Sequence, residues 1–186
     1  MKKWMLLMLS GTLMLGLGSF IQLKAIAAQY MLEYAWQNTL IQQQPHKPWP
    51  WADTWPVAKL MFGNKDSMIV LEGVTGQALA FGPGQMQGTG GAVNNVLTVM
   101  AGHRDTHFKT LNTLVLGDEV SVQDDHGEWR VYIVSNIDII NTDTHMVDLS
   151  DHSQAVPQLM LVTCYPFDAM QAGGPLRYVV TADEAA

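Results

Sequence analysis

The chain's 186 residues suffice for one domain of ordinary size plus an appendage, and the apolar share of 48 % supplies a core. With 17 acidic against 10 basic side chains the net charge is -7, which excludes nucleic acid as a partner because no basic stripe exists to release counterions. The only cysteine, Cys164, excludes an internal disulfide framework.

Lys2 and Lys3 precede "WMLLMLSGTLMLGLGSFIQL", Trp4 to Leu23, a run of 20 residues without a charge. That is the length needed to cross roughly 30 Å of hydrocarbon. The two lysines keep their end in the cytoplasm and export the rest. A cleaved signal peptide is the competing reading, with "AIA" at Ala25 to Ala27 as a small-residue cleavage site. The length of the run and the intrusion of Lys24 favour an uncleaved anchor. The expected division is therefore a cytoplasmic stub and transmembrane anchor over 1–26, a helical stalk and lead-in over 27–56, and a β domain over 57–186.

Ala27 to Gln44 reads as a helix with loose periodicity through Tyr30, Leu32, Tyr34, Ala35 and Leu40, leaving the membrane as a stalk. "PHKPWPWADTWP", Pro45 to Pro56, holds four prolines and three tryptophans. Proline makes it stiff and extended. The tryptophans suit a strap laid over the domain better than an exposed, sticky patch.

From Val57 the pattern is all-β. Short apolar runs recur between turn signals: "VAKLMF", "SMIVLEG", "ALAFGPG", "NVLTVMAG", "DEVSVQDDHG", "EWRVYIVSNIDII", "QLMLVTC" and "LRYVVTA". "DDHG", Asp124 to Gly127, suits a hairpin turn. "HFKTLNTLVLGD", His107 to Asp118, has room for one short helix ending at Gly117. Strands at this spacing imply a sandwich or a closed barrel.

Three strand ends carry chemistry. "TVMAGHRDTHF" runs out at Gly102 and delivers His103. "MLVTCYPF" delivers Cys164 just before a Tyr-Pro turn, and "GGPLRYVV" delivers Arg177 at the start of the last strand. A thiol, an imidazole and a guanidinium gathered at one rim are the parts of nucleophilic catalysis by cysteine. The thiolate attacks, the imidazole manages protons, and the cation steadies an oxyanion. A lone cysteine is otherwise most often a small buried hydrophobe.

Spacing and residue type resemble the sortases, membrane-anchored cysteine transpeptidases, over roughly Trp49 to Ala182. "AGHRDTHF" is similar to their histidine motif and "LVTC" to their TLxTC motif, with Met160 where threonine is usual. "LRYVV" is similar to the arginine strand, and "VLEG" with "GPG" to the early strands. "KPWPWADTWPVAKL" resembles the lead-in of the sortases of Gram-negative bacteria. The resemblance implies an eight-stranded β-barrel with one or two short helices. It implies Cys164 as nucleophile, His103 as general acid–base and Arg177 as oxyanion stabiliser, with Ala101, Thr163, Tyr165 and Pro166 lining the pocket. The implied substrate is an exported protein with an LPxTG-like C-terminal sorting signal, transferred through a thioacyl enzyme to an amine or to water. No cofactor and no metal are implied. The implied location is the inner membrane, single-pass, with the catalytic domain in the periplasm.

Ordinary values near 8.5 for a thiol and 6.5 for an imidazole leave under about 1 % of independent pairs with both groups charged at pH 7. The expectation is that Arg177 acts on the intermediate more than on the resting thiol. His103 and His107 are four apart, a metal-binding spacing on a helix, but the stretch reads as a loop with no HExxH pattern. His46, His126, His145 and His152 fall in polar turns. Asp105 either orients His103 or caps the helix after it. Glu72 is a solvated carboxylate or a calcium ligand. Two other classes compete. One is an L,D-transpeptidase, whose signature needs glycine before the cysteine and arginine two residues after, where this chain has Thr163 and Pro166. The other is a non-catalytic tethered β-module that binds a surface protein.

Overall fold

The computed structural model describes residues 2–65, 67–90, 96–144, 156–171 and 173–185. His145 and His152 lie outside the described residues.

The first element, α1, is a single helix over Lys2–Gln42. It stops because Gln43 turns left-handed (φ 53°) while its N–H still donates to the Thr39 carbonyl, and Pro45 bars a further turn. Among the described residues no helix is long and apolar enough to cross a membrane, so the expected span at 4–23 finds no support here.

The second half of α1 corrects the expected stalk: it lies along the domain. Ala28, Leu32, Ala35, Trp36 and Thr39 form its buried face. Leu32 and Trp36 pack with Ile69, Leu71 and Ala78. Tyr30 and Tyr34, which made the periodicity look loose, face solvent. Polar contacts fix the same face. Lys59 Nζ donates to Glu33 Oε1 at 2.6 Å, Trp36 Nε1 to Gln123 Oε1 at 3.3 Å, and Gln43 Nε2 to the Asp125 carbonyl at 3.2 Å. Burial alone would raise the Glu33 carboxyl. The hydrogen bonds from Lys59 and Gln37 and the Lys59 charge outweigh it, and the net shift is downward. This contact therefore supports docking above the ordinary carboxylate range and loses its contribution as pH falls below it. Trp36 is fully buried. Trp36→Ala should cost about 3–5 kcal/mol in chemical unfolding; a loss under about 1 kcal/mol would show that the helix is not part of the folding unit.

Residues 45–55 form a strap. Trp49 meets Phe81 edge-on at 5.1 Å, and the Thr54 hydroxyl donates to the Glu72 carbonyl at 2.8 Å. Trp51 is the exception at 79 % exposed.

Eight strands follow: β1 Pro56–Phe62, β2 Met68–Glu72, β3 Gly84–Gln85, β4 Leu97–Ala101, β5 Glu119–Gln123, β6 Trp129–Asn141, β7 Gln158–Cys164 and β8 Leu176–Glu184. They close into a barrel in the order β1-β2-β3-β4-β7-β8-β6-β5. The pairs β2–β3 and β4–β7 are parallel and the rest antiparallel. Leu60, Val70, Met100, Phe108, Val120, Val134, Leu161 and Val180 are part of the interior. A bulge in β6 between Val134 and Asn136 shifts the alternation, so that Val134 and Ile137 both pack on the interior. The Asp124–Gly127 hairpin forms as expected, with Asp124 Oδ1 accepting from the N–H groups of His126 and Glu128.

Two local expectations change. "ALAFGPG" supplies only the two-residue β3; its first part ends a helical turn, α2 over Gly76–Leu79, because the Thr75 hydroxyl accepts from the Ala78 N–H and caps it. The helix within 107–118 shrinks to a 3-10 turn, Lys109–Thr113, opened by Phe108 without a side-chain cap.

Candidate active site

Parallel pairing of β4 with β7 sets the site. The register runs one for one and ends at Ala101 opposite Val162. Two further bonds carry the chains onward together. Gly102 N–H donates to the Val162 carbonyl at 3.2 Å, and the Thr163 hydroxyl donates to the Gly102 carbonyl at 2.7 Å. His103 is the next residue, two past the end of β4, as Cys164 is the next after Thr163. On the other side of β7, Cys164 is the register partner of Arg177 in β8. Cys164 and Arg177 therefore sit on neighbouring strands about 4.8 Å apart, and His103 follows the end of the strand on the other side of β7.

The same alternation assigns the face. Met160, Leu97, Val99 and Val179 form an apolar cluster apart from the barrel interior, with Val162, Ile140 and Met86 against it. Stepping by two along each strand, Cys164 follows Met160 and Val162, Ala101 follows Leu97 and Val99, and Arg177 precedes Val179. Ala101, Cys164 and Arg177 therefore stand on the outer face of the barrel, in line with this buried cluster. His103 is exposed, while Cys164 and Arg177 are half-buried. The thiol is free.

Local sequence explains how His103 is held. A Cβ on Gly102 would lie 2.8 Å from the Phe108 ring, so only glycine lets the chain pass there. The His103 carbonyl then accepts from the Phe108 N–H at 3.0 Å, closing a turn. Within it His107 is half-buried. Burial pushes its imidazole below the ordinary value, and the charge of His103 lowers it further. His107 thus stays neutral to lower pH than a free imidazole. Asp105 is exposed and neither caps the 3-10 turn nor bonds His103 among the described residues.

Arg177 has one nitrogen committed: Nη1 donates to the carbonyls of Gly174 at 2.7 Å and Leu176 at 3.0 Å. The segment between Cys164 and Arg177 is braced by aromatics. Tyr165 stacks on Tyr178 at 6.1 Å, and Phe167 meets Tyr178 edge-on at 5.1 Å. Pro166 follows Tyr165 through a cis peptide and is exposed.

The residues expected to line a pocket thus divide. Ala101 shares the outer face with Cys164. Thr163 is 2 % exposed and spends its hydroxyl on the Gly102 carbonyl, where it ties the end of β4 to the end of β7. Tyr165 packs on Tyr178, and Pro166 forms the turn. Sequence reasoning missed Arg104, which is 8 % exposed and sends Nη2 to the carbonyls of Ala169, at 3.0 Å, and Gln171. Nothing in its local pattern marks it.

Among the described residues no three histidine, cysteine, aspartate or glutamate side chains are gathered to hold a metal. Glu72 is half-buried; burial raises its carboxyl, and a hydrogen bond with Gln87 offsets this in part. It lines a cavity of about 490 Å³ with Gln85, Asp124, Arg130 and Tyr132. That cavity lies at the start of β4, the end of the strand opposite His103.

The sequence model of the sortase domain matches residues 64–185. Sortase D of Bacillus subtilis (strain 168) is 30 % identical over 111 residues, 60 % of this chain and 54 % of that protein. The chain thus spans about half the length of this curated relative. A sortase D5 transpeptidase of Clostridium perfringens matches with TM-score 0.62 at 18 % identity, covering 86 % of this chain and 99 % of that one. Sortase A from Corynebacterium diphtheriae matches at 0.59 and 21 %, covering 73 % and 63 %, and sortase C-1 from Actinomyces oris at 0.55 and 25 %, covering 70 % and 73 %. The solved structures share the barrel. With a domain match that takes in well over half of its residues, the chain belongs to the sortase family.

Proposed function

We propose that this protein is a membrane-anchored cysteine transpeptidase of the Gram-negative sortase type, cleaving an LPxTG-like sorting signal of an exported protein. The observation that carries the reading is the register pairing of Cys164 with Arg177, with His103 two residues past the end of β4, the strand on the other side of β7. On the face that Cys164 shares, half-buried Val162 offers apolar surface to an extended peptide, while Val99, Met160 and Val179 are buried. The relatives' names, sortase D and a sortase D5 transpeptidase, point the same way.

In this mechanism the Cys164 thiolate attacks the carbonyl carbon of the scissile peptide bond. Negative charge moves to the oxygen, where the guanidinium of Arg177 meets it with donors other than Nη1. The C–N bond then breaks, and the His103 imidazolium gives its proton to the leaving nitrogen. A thioester holds the N-terminal fragment on Cys164. An amine or water attacks that thioester, neutral His103 takes the nucleophile's proton, and Cys164 leaves as thiolate. The pair is back in its starting charge state.

The uncharged run Trp4 to Leu23, following Lys2 and Lys3, supports a single-pass inner-membrane anchor with the barrel in the periplasm. The test is a set of peptides carrying LPxTG-like signals, incubated with and without an amine. Cleavage without the amine and a new amide with it are expected; no turnover of any sorting peptide would overturn the substrate assignment.

A further inference from the structure

We infer that Arg104 is a positioning residue for this reaction, holding the segment that orients Arg177; the inference rests on the catalytic reading above. Arg104 directly follows His103, but its neighbours His103 and Asp105 are exposed while its own guanidinium is buried. Nη2 binds the Ala169 and Gln171 carbonyls, 65 and 67 residues away in sequence. Both carbonyls belong to the link between Cys164 and Arg177. Further along the same link, the Gly174 and Leu176 carbonyls hold Nη1 of Arg177. One arginine grips the middle of the link, and the link's far end grips the other arginine.

The energetics argue against a purely stabilising role. Among the described residues Arg104 Nη1 is buried with no hydrogen-bond partner, and the guanidinium makes no ion pair. A buried unmet donor is destabilising, and more so when charged. An apolar side chain of similar length would bury there at lower cost. Such exceptions call for an explanation outside stability, and the bonds the group does make all end on one segment.

The test compares Arg104→Met, Arg177→Gln and the double variant in peptide cleavage, with amide hydrogen exchange as an independent arm. Arg104→Met should lower kcat by about 10–100-fold, the loss of one to three kcal/mol of hydrogen bonding, and leave KM within about twofold. In the Arg177→Gln background the same change should cost under about threefold, because the route through Arg177 is already cut. Arg104→Lys, which still offers a charged donor to the carbonyls, should recover most of the rate. Exchange over 167–171 should rise by about tenfold in Arg104→Met while β7 and β8 stay protected. Multiplying losses in the double variant, or a wild-type rate in Arg104→Met, would overturn the inference. Unchanged exchange would overturn it too, and that arm needs no substrate, so it decides even if sorting peptides prove not to be cleaved. Where Arg104→Met does not fold, Arg104→Gln carries the same comparison.

Discussion

Cys164→Ala should abolish acyl transfer while the barrel folds as before. The position is half-buried, at the last residue of β7, and the side chain is small, so its removal leaves little cavity. A stability change under about 1 kcal/mol is expected. The chemistry has no second nucleophile to fall back on, because this is the only thiol in the chain. A loss of at least about 10⁴-fold in kcat, the scale of removing a nucleophile, should appear in peptide cleavage with thermal unfolding shifted by only a few degrees. Retained cleavage would refute thiol catalysis. A large fall in unfolding temperature would instead mark Cys164 as a core residue.

Arg177 carries the second large effect. Its register partner is Cys164, and one guanidinium nitrogen is already held by the Gly174 and Leu176 carbonyls. That bracing fixes one edge of a planar group, and the proposed role gives its other donors to the oxyanion. Arg177→Gln should slow acylation by about 10²–10³-fold, the usual effect of losing one oxyanion donor. Arg177→Lys should recover little, because an ammonium cannot hold the loop carbonyls and the oxyanion in the same fixed fork. Single-turnover acylation is the proper readout, since release of product does not mask it. Acylation at the wild-type rate in Arg177→Lys would contradict a role on the intermediate.

The strands and the strand-end positions of the three proposed site residues were legible because both announce themselves locally. Short apolar runs between turn signals mark β7 and β8, and each of His103, Cys164 and Arg177 follows or precedes such a run near a glycine or proline. That the ends of β4 and β7 lie side by side was not legible, since it depends on a parallel register between segments about 61 residues apart. Nor was the outer face, which follows from which side of β7 the interior claims. The docking of α1 hid behind small residues: Ala28, Ala35 and Thr39 carry no strong apolar signal, whereas exposed Tyr30 and Tyr34 do. "ALAF" is too short for periodicity to separate helix from strand, and Thr75 decided it. Arg104 left no trace in pattern, because its burial depends on carbonyls far along the chain.

The thioester itself is the most direct witness to the mechanism. Rapid quench of the protein with a sorting peptide, followed by intact-mass and peptide mapping, should find the N-terminal fragment bound covalently to Cys164, released on adding an amine. Turnover of the peptide with no adduct on Cys164 at any time, or an adduct mapped to another residue, would contradict it.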